Sequence, residues 1–222
     1  MNISIDIVSD FICPWCFIGK KRLKDAVALV LEKHPETNVQ INWLPYFLGP
    51  DTPPAGVAYK TFMETKFGGV KKLAEMQARV LAAGKDAGVE FDLAKIAMRP
   101  STMAAHRLVY RAQSTGHRAA EIEALVDRLF TAYFQRGEDI GNIATLADIA
   151  AECGDRKEDV VDYLTSKQGE SQVASLFSQV GKLGVTGVPF FIIQRHLAVS
   201  GAQTGEVLAA AILQAMQSKP GQ

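Results

Sequence analysis

Two cysteines placed three residues apart, Cys13 and Cys16, are the residues of this 222-residue chain whose types and spacing most directly suggest chemistry. Pro14 follows the first of them, and proline is favoured at the first position of a helix, where its missing N–H would have no partner. Cys13 is then expected at the N-cap, where backbone N–H groups and the helix dipole favour thiolate over thiol. Cys16, one helical turn on, could resolve a mixed disulfide formed at Cys13. We therefore predict a reactive nucleophile at Cys13 and a more buried, more ordinary thiol at Cys16.

Competing interpretations of the cysteine pair require residues that the sequence does not supply. A zinc site needs a second cysteine pair or histidines at ligand spacing, and c-type haem attachment needs histidine directly after Cys16, where Phe17 stands. The histidines are scattered along the chain, at His34, His106, His117 and His196. A pair of inert core cysteines is the third interpretation, and Pro14 counts against it. The remaining cysteine, Cys153, lies on an apolar helical stripe and is expected to be a small buried hydrophobe.

The elements around the cysteines are predicted from hydrophobic periodicity. Apolar residues alternate at Ile3, Ile5 and Ile7, which predicts a strand at the start of the chain. A helix is expected from Pro14 to about Lys33, and a second alternating segment, 39–44, predicts a strand that Pro45 ends. The cysteines therefore lie between the strand and the helix of a βαβ unit.

Strand signals return near the C-terminus, after a long stretch of helical periodicity from about residue 58 to 168. A helix over about 171–183 precedes a β-branched and aromatic run at 188–193 and a shorter run at 197–201. Because three residues separate these runs, they are expected to form a hairpin. A last helix, about 204–217, completes an order of βαβ, many helices, and then α-ββα.

Pro189 stands at the start of a β-rich run, where a strand would normally need a backbone donor. A cis peptide bond between Val188 and Pro189 would explain its presence. About 5–6% of X–Pro bonds are cis, so the prediction depends on the combination with the upstream cysteine pair and the downstream ββα unit.

Taken together, these segments resemble the DsbA-like superfamily of thioredoxin-fold oxidoreductases. Within it they are most similar to the FrnE-like group, kin to kappa-class glutathione transferases and 2-hydroxychromene-2-carboxylate isomerases. The matching segments follow the family's order over nearly the whole chain: residues 9–20 with Cys13-Pro14-Trp15-Cys16, 105–108, 132–134, 184–191 and 200–203. The resemblance implies an α/β thioredoxin fold (βαβ…ββα), formed by residues 1–50 and 171–222, with a large all-helical insertion at 51–170.

The resemblance also implies a role for each matching residue. In that family the first cysteine is the nucleophile, the second resolves, and the proline after valine is cis and faces the disulfide; these roles fall on Cys13, Cys16 and Pro189. The backbone of Val188 is then expected to pair with an extended substrate segment. The kappa-class transferases and chromene isomerases have serine where this chain has Cys13, so two thiols favour dithiol exchange.

Other residues near the pair are candidates for substrate contact. Pro14 and Trp15 form the turn between the cysteines, and an exposed Trp15 would help to dock a peptide or a hydrophobic substrate. His106 is expected to line the face opposite the dithiol and to bind a substrate carboxylate or glutathione, with a polar helix face as the alternative. Asp10 is expected to organise the turn before Cys13, although it could instead move protons to or from Cys16.

Composition narrows the partners and the compartment. Lys plus Arg and Asp plus Glu each total 24, so the net charge is zero, which argues against nucleic acid or an anionic membrane held by bulk electrostatics. We expect protein or small-molecule thiol and disulfide substrates, a monomer or homodimer, no metal and no bound organic cofactor. Glutathione is a candidate thiol co-substrate. No basic leader with an apolar run is evident, so a cytoplasmic protein is expected.

The sequence therefore predicts a thiol-disulfide oxidoreductase, exchanging or isomerising disulfides through Cys13 and Cys16. Two alternatives stay open. One is a glutathione-dependent transferase or isomerase that uses the same cleft. The other is a redox-responsive chaperone or binding protein in which the cysteine pair is only a switch.

Overall fold

The computed structural model describes residues 1–217, which alternate between strands and helices. The N-terminal part contains β1 (Asn2–Ser9), α1 (Pro14–Lys33) and β2 (Asn38–Pro45). The middle part contains β3 (Val57–Ala58), α2 (Tyr59–Phe67), α3 (Val70–Asp86), β4 (Met98–Arg99), α4 (Met103–Ser114), α5 (Ala119–Thr131), α6 (Ile143–Glu152) and α7 (Lys157–Thr165). The C-terminal part contains α8 (Glu170–Lys182), β5 (Phe190–Ile193), β6 (Leu197–Ser200) and α9 (Gly205–Gln217).

A four-stranded sheet in the order β2-β1-β5-β6 joins the two ends of the chain. Strands β1 and β2 run parallel, as the crossover through α1 requires, whereas β5 is antiparallel to β1 with Ile7 opposite Phe191. Strands β5 and β6 form the expected antiparallel hairpin. This is the predicted thioredoxin fold, and its topology brings the end of β1, which precedes Cys13, beside the start of β5, which follows Pro189.

The sheet is covered on both faces. Ile3, Ile5 and Ile7 are almost completely buried on the face that packs against α1 and α9, as their alternation predicts. Val8 points to the other face, where it packs against Val180 of α8 and the segment that follows. Burial on both sides makes the sheet a rigid base for the loops at its carboxyl end.

The structure corrects two details of the sequence prediction. The insertion is helical apart from one short ladder in which Val57 lies opposite Arg99, and two-residue strands are too short to show periodicity. Strand β5 begins at Phe190 instead of Val188, because residues 187–189 form a bend and Pro189 has no N–H to donate. The boundaries of α1, Pro14 and Lys33, are as predicted.

The four-stranded sheet is formed entirely by the outer segments of the chain, which are the parts before residue 51 and after residue 170. One continuous apolar core nevertheless includes both these segments and the insertion. The division at residues 50 and 170 therefore stays a prediction. No helix within residues 1–217 is long and apolar enough to span a membrane.

Candidate active site

Cys13 occupies the N-cap of α1, as the sequence predicts. Its backbone is extended, with φ −98° and ψ 111°, Pro14 begins the helix, and the Cys16 N–H donates to the Cys13 carbonyl at 3.0 Å. The sulfur makes no hydrogen bond to the helix N–H groups. It lies instead 3.7 Å from the carbonyl oxygen of Val188, the residue before the proline. Cys13 is therefore held between the helix start and the segment that leads into β5.

Cys16 lies behind Cys13 and is 2% exposed. Burial raises the pKa of the Cys16 thiol well above its usual range, and a hydrogen bond with Cys13 and the charge of Cys13 raise it further. The Ser9 hydroxyl and the Asp10 backbone lower this pKa, but they do not outweigh burial. Cys16 therefore keeps its proton while Cys13 is free, in agreement with the roles expected for the two thiols.

The Val188–Pro189 peptide bond is cis, as predicted. The Pro189 loop, residues 187–189, lies directly against the first turns of α1, where Gly19 has no side chain. A Cβ atom at Gly19 would be 2.9 Å from Pro189 Cγ and 3.2 Å from Phe191 Cζ. The missing side chain at position 19 thus allows the loop to approach α1 and to reach Cys13.

Aromatic side chains hold the cysteine turn against the insertion. Phe11 and Phe17 flank the two cysteines, and the Phe130 ring of α5 lies 5.2 Å from the first and 5.1 Å from the second, nearly parallel to Phe17. Phe134, in the π-helical turn after α5, packs against Phe17 and Phe91. The sequence does not reveal this cluster, because aromatic residues on an apolar stripe are indistinguishable from ordinary core until their partners are known.

Asp10 organises the turn that presents Cys13. Its backbone carbonyl accepts from the Cys13 N–H at 3.0 Å, and its Oδ2 accepts from the Leu48 N–H at 2.7 Å. The side chain is completely buried, with Oδ1 3.6 Å from Nε2 of His106. These contacts match the turn-organising role expected from the sequence.

His106 does not lie where the sequence analysis expected it. Its ring is buried between Phe11 and Phe47, at centroid distances of 4.9 and 5.1 Å, and Nε2 is 3.1 Å from the Tyr46 carbonyl. It lies behind the turn and does not line the cleft above Cys13. Because α4 packs this first-turn residue against the segment after β2, we assign His106 to support of the turn and no longer to substrate contact.

A cleft of about 320 Å³ opens beside Cys13. Pro14, Trp15 and Val188, all candidates from the sequence, form one wall of it. The opposite wall comes from the insertion and is mainly apolar, with Met63, Phe67, Met76 and Phe134 among its residues. Lys66 and Arg99 also line the cleft. The sequence gives no sign of their role, because no motif relates them to the cysteines.

Comparison with known proteins agrees with this geometry. The family model described as DSBA-like thioredoxin domain matches residues 4–213. The uncharacterized protein YwbO of Bacillus subtilis is 25% identical over 226 residues, which cover 99% of this chain and 100% of that protein.

Solved structures extend the similarity to the fold. A probable DsbA oxidoreductase from Streptomyces coelicolor has a TM-score of 0.87 and 26% identity, covering 99% of this chain and 93% of that one. A 2-hydroxychromene-2-carboxylate isomerase shares the fold at 14% identity, with a TM-score of 0.68 and 96% of each chain covered. From the family match over nearly its full length, together with the cysteine pair at the helix start, this chain belongs to the DSBA-like thioredoxin domain family of oxidoreductases.

Proposed function

We propose that this protein exchanges its dithiol for a disulfide in protein or small-thiol substrates. The observation that carries the proposal is the asymmetry of the cysteine pair. Both thiols are buried, at 4% and 2% exposed, but Cys13 lines the cleft, whereas Cys16 lies behind it and has a raised pKa. A nucleophile facing the substrate and a protonated thiol within reach are the two requirements of exchange through a mixed disulfide.

The reaction begins with attack of the Cys13 thiolate on one sulfur of the substrate disulfide. The substrate S–S bond breaks, one substrate thiolate leaves and takes up a proton, and a bond forms between Cys13 and the other half. Cys16 then loses its proton and attacks the Cys13 sulfur, which releases the second substrate thiol and leaves a Cys13–Cys16 disulfide. Two electrons pass from the protein to the substrate, and the reverse sequence oxidises a substrate dithiol.

The environment of Cys16 gives these steps an order. Besides burial, the free Cys13 sulfur raises the pKa of Cys16 through a hydrogen bond and through its charge. Both effects end when Cys13 is bonded to substrate sulfur. Formation of the mixed disulfide therefore makes Cys16 easier to deprotonate at the moment when its attack is needed.

Backbone pairing with a substrate segment is supported by Val188. In the part of the chain that the structure describes, its N–H has no hydrogen-bond partner, and its carbonyl accepts only from the Cys13 thiol. An extended peptide that carries a cysteine could pair with both groups and bring its sulfur to Cys13. Trp15, which is 37% exposed at the rim, adds apolar contact area.

The proposal is tested with single cysteine variants and insulin as a protein disulfide. Cys13→Ser should abolish dithiol-dependent insulin reduction, and Cys16→Ser should accumulate mixed disulfides that mass spectrometry identifies at Cys13. Cys153→Ser is the matched control and should keep the wild-type rate, because Cys153 lies outside the cleft. Full activity in Cys13→Ser would contradict the mechanism. Glutathione-dependent turnover that survives in Cys16→Ser would instead favour the transferase or isomerase class.

A further inference from the structure

Arg99 is a buried cation in the wall of the cleft. Its side chain is 4% exposed, its guanidinium stacks on the Phe62 ring at 4.3 Å, and Nη1 donates to the Thr52 hydroxyl. Within residues 1–217 it forms no ion pair with an Asp or Glu. Burial of a charge is costly unless an opposite charge or a full set of hydrogen bonds compensates it. The remaining N–H groups of Arg99 are therefore available to an anion in the cleft.

The charge of the cleft differs from that of the whole chain. Lys66 at the end of α2 lines the same cavity, is exposed, and has Phe67 as an aromatic contact at 5.8 Å. Among the lining residues that the structure describes, none is Asp or Glu. Since the chain as a whole carries 24 positive and 24 negative side chains, positive charge without a lining carboxylate is concentrated in the cleft that Cys13 also lines.

The guanidinium is also held in position before any ligand arrives. It fills the space beside Gly49, where an added Cβ would collide with it. The backbone of Arg99 is paired with Val57 in the short ladder of the insertion. A fixed guanidinium loses little entropy on binding and suits the planar, two-oxygen geometry of a carboxylate.

We infer that Arg99, assisted by Lys66, forms a carboxylate subsite beside Cys13, and that the cleft takes low-molecular-weight disulfides that carry a carboxylate. The inference rests on the proposed function, because it names the substrate class of the same cysteines. A cavity of about 320 Å³ is at the small end of ligand pockets, and Arg99, Lys66 and Cys13 all line it. The other insertion residues that line the cleft are mostly apolar, such as Met63, Met76 and Phe134, and they suit the methylene groups that join a carboxylate to a disulfide.

The test uses three disulfides that differ mainly in charge: anionic 3,3′-dithiodipropionate, neutral 2-hydroxyethyl disulfide and cationic cystamine. Pre-reduced protein, freed of reductant, is mixed with each, and loss of protein thiols is followed over a single turnover. Each rate is divided by that of dithiothreitol with the same disulfide, which removes intrinsic reactivity. We expect the anionic compound to be preferred over the neutral one by about tenfold, the effect of one charge-assisted hydrogen bond, and cystamine to be slowest.

Arg99→Gln should remove most of this preference, and Lys66→Gln should reduce it by about twofold, since an exposed charge contributes less. Lys60→Gln, on the same helix but outside the cleft, is the matched control and should keep the wild-type ratio. The readout is the ratio of anionic to neutral rates, so partial loss of folded protein cancels. A wild-type ratio near one, or an unchanged ratio in Arg99→Gln, would overturn the inference.

Two further measurements distinguish this inference from a subsite for acidic peptides and from a failure of the proposed exchange reaction. Insulin reduction should depend weakly on Arg99, and an equal slowing with insulin would assign the subsite to acidic peptides and contradict the small-disulfide class. Binding of unreactive 3-(methylthio)propanoate to Cys13→Ser, followed by tryptophan fluorescence, tests the subsite without redox chemistry. Tighter binding than of 3-(methylthio)propanamide supports the subsite even if exchange fails, and equal binding refutes it even if exchange succeeds.

Discussion

The outer segments of the chain and the insertion contribute differently to the site. The outer segments supply the sheet, both cysteines and Pro189, all of which can be recognised from local sequence. The insertion supplies the aromatic support and the opposite wall of the cleft, including Arg99, through residues that show no motif. The outer segments thus carry the residues that a motif identifies, whereas the insertion carries most of the opposite wall of the cleft, which no motif identifies.

The largest effect is expected from removing the aromatic contact between the outer segments and the insertion. Phe130→Ala should lower the free energy of unfolding by about 3–5 kcal/mol, since it empties a completely buried ring site between Phe11 and Phe17. Chemical denaturation of the reduced protein measures this loss. The control Leu81→Ala, at a half-exposed position of α3, should cost less than about 1 kcal/mol. Equal losses would mean that the cluster does not join the two parts.

A second challenge concerns the close approach of α1 and the Pro189 loop. Gly19→Ala should cost about 1–3 kcal/mol of stability and slow disulfide exchange, because the new Cβ displaces Pro189 from its position beside Cys13. The matched control is Gly181→Ala in α8, where nothing outside the adjacent residues and the backbone of the helix itself lies within 4 Å of the added Cβ. It should stabilise the protein by about 0.4–1 kcal/mol. Exchange at the wild-type rate in Gly19→Ala would show that the loop tolerates displacement.

The raised pKa of Cys16 predicts a dependence of stability on pH. The folded protein holds this proton more tightly than the unfolded chain, so the stabilisation is complete below the ordinary thiol value of 9.0 and is lost as pH rises toward the folded pKa. The slope above pH 9.0 should approach, at most, about 1.4 kcal/mol per pH unit. Denaturation of reduced protein at several pH values measures it.

Cys16→Ala should flatten this slope more than Cys153→Ala. Burial raises the pKa of both thiols, but Cys153 is only partly buried, and it has no neighbouring thiol. If the slope of stability against pH is unchanged in Cys16→Ala, Cys16 titrates as an ordinary thiol. The two cysteines would then not differ in the way that the proposed function requires.

The smallest effect is expected at the rim of the cleft. Trp15→Ala should raise the KM for a protein disulfide by about threefold through loss of aromatic contact area, while the rate constant of exchange with 2-hydroxyethyl disulfide should change little. Steady-state insulin reduction and single-turnover exchange measure the two quantities. A larger effect on the small disulfide than on insulin would argue that Trp15 shapes Cys13 itself.

Much of the fold follows from local pattern. Alternation at Ile3, Ile5 and Ile7 predicts β1, and Pro14 predicts the start of α1, because the relevant forces act between near neighbours in the chain. The short strands β3 and β4 were missed, since pairing between distant two-residue segments leaves no periodic signal. His106 was placed wrongly for a related reason: its helix face could be predicted, but its packing partners could not.

The sequence by itself determined which two thiols lie together at a helix start. The spacing of Cys13 and Cys16 and the proline between them place both thiols on the first turn of a helix, and this geometry is local. The tertiary structure alone decided that Cys13 lines a cleft, which residues form the opposite wall, and that Arg99 and Lys66 border the same cleft. Burial and electrostatic environment arise from residues that are distant in the chain, so they exist only after the insertion has packed against the sheet.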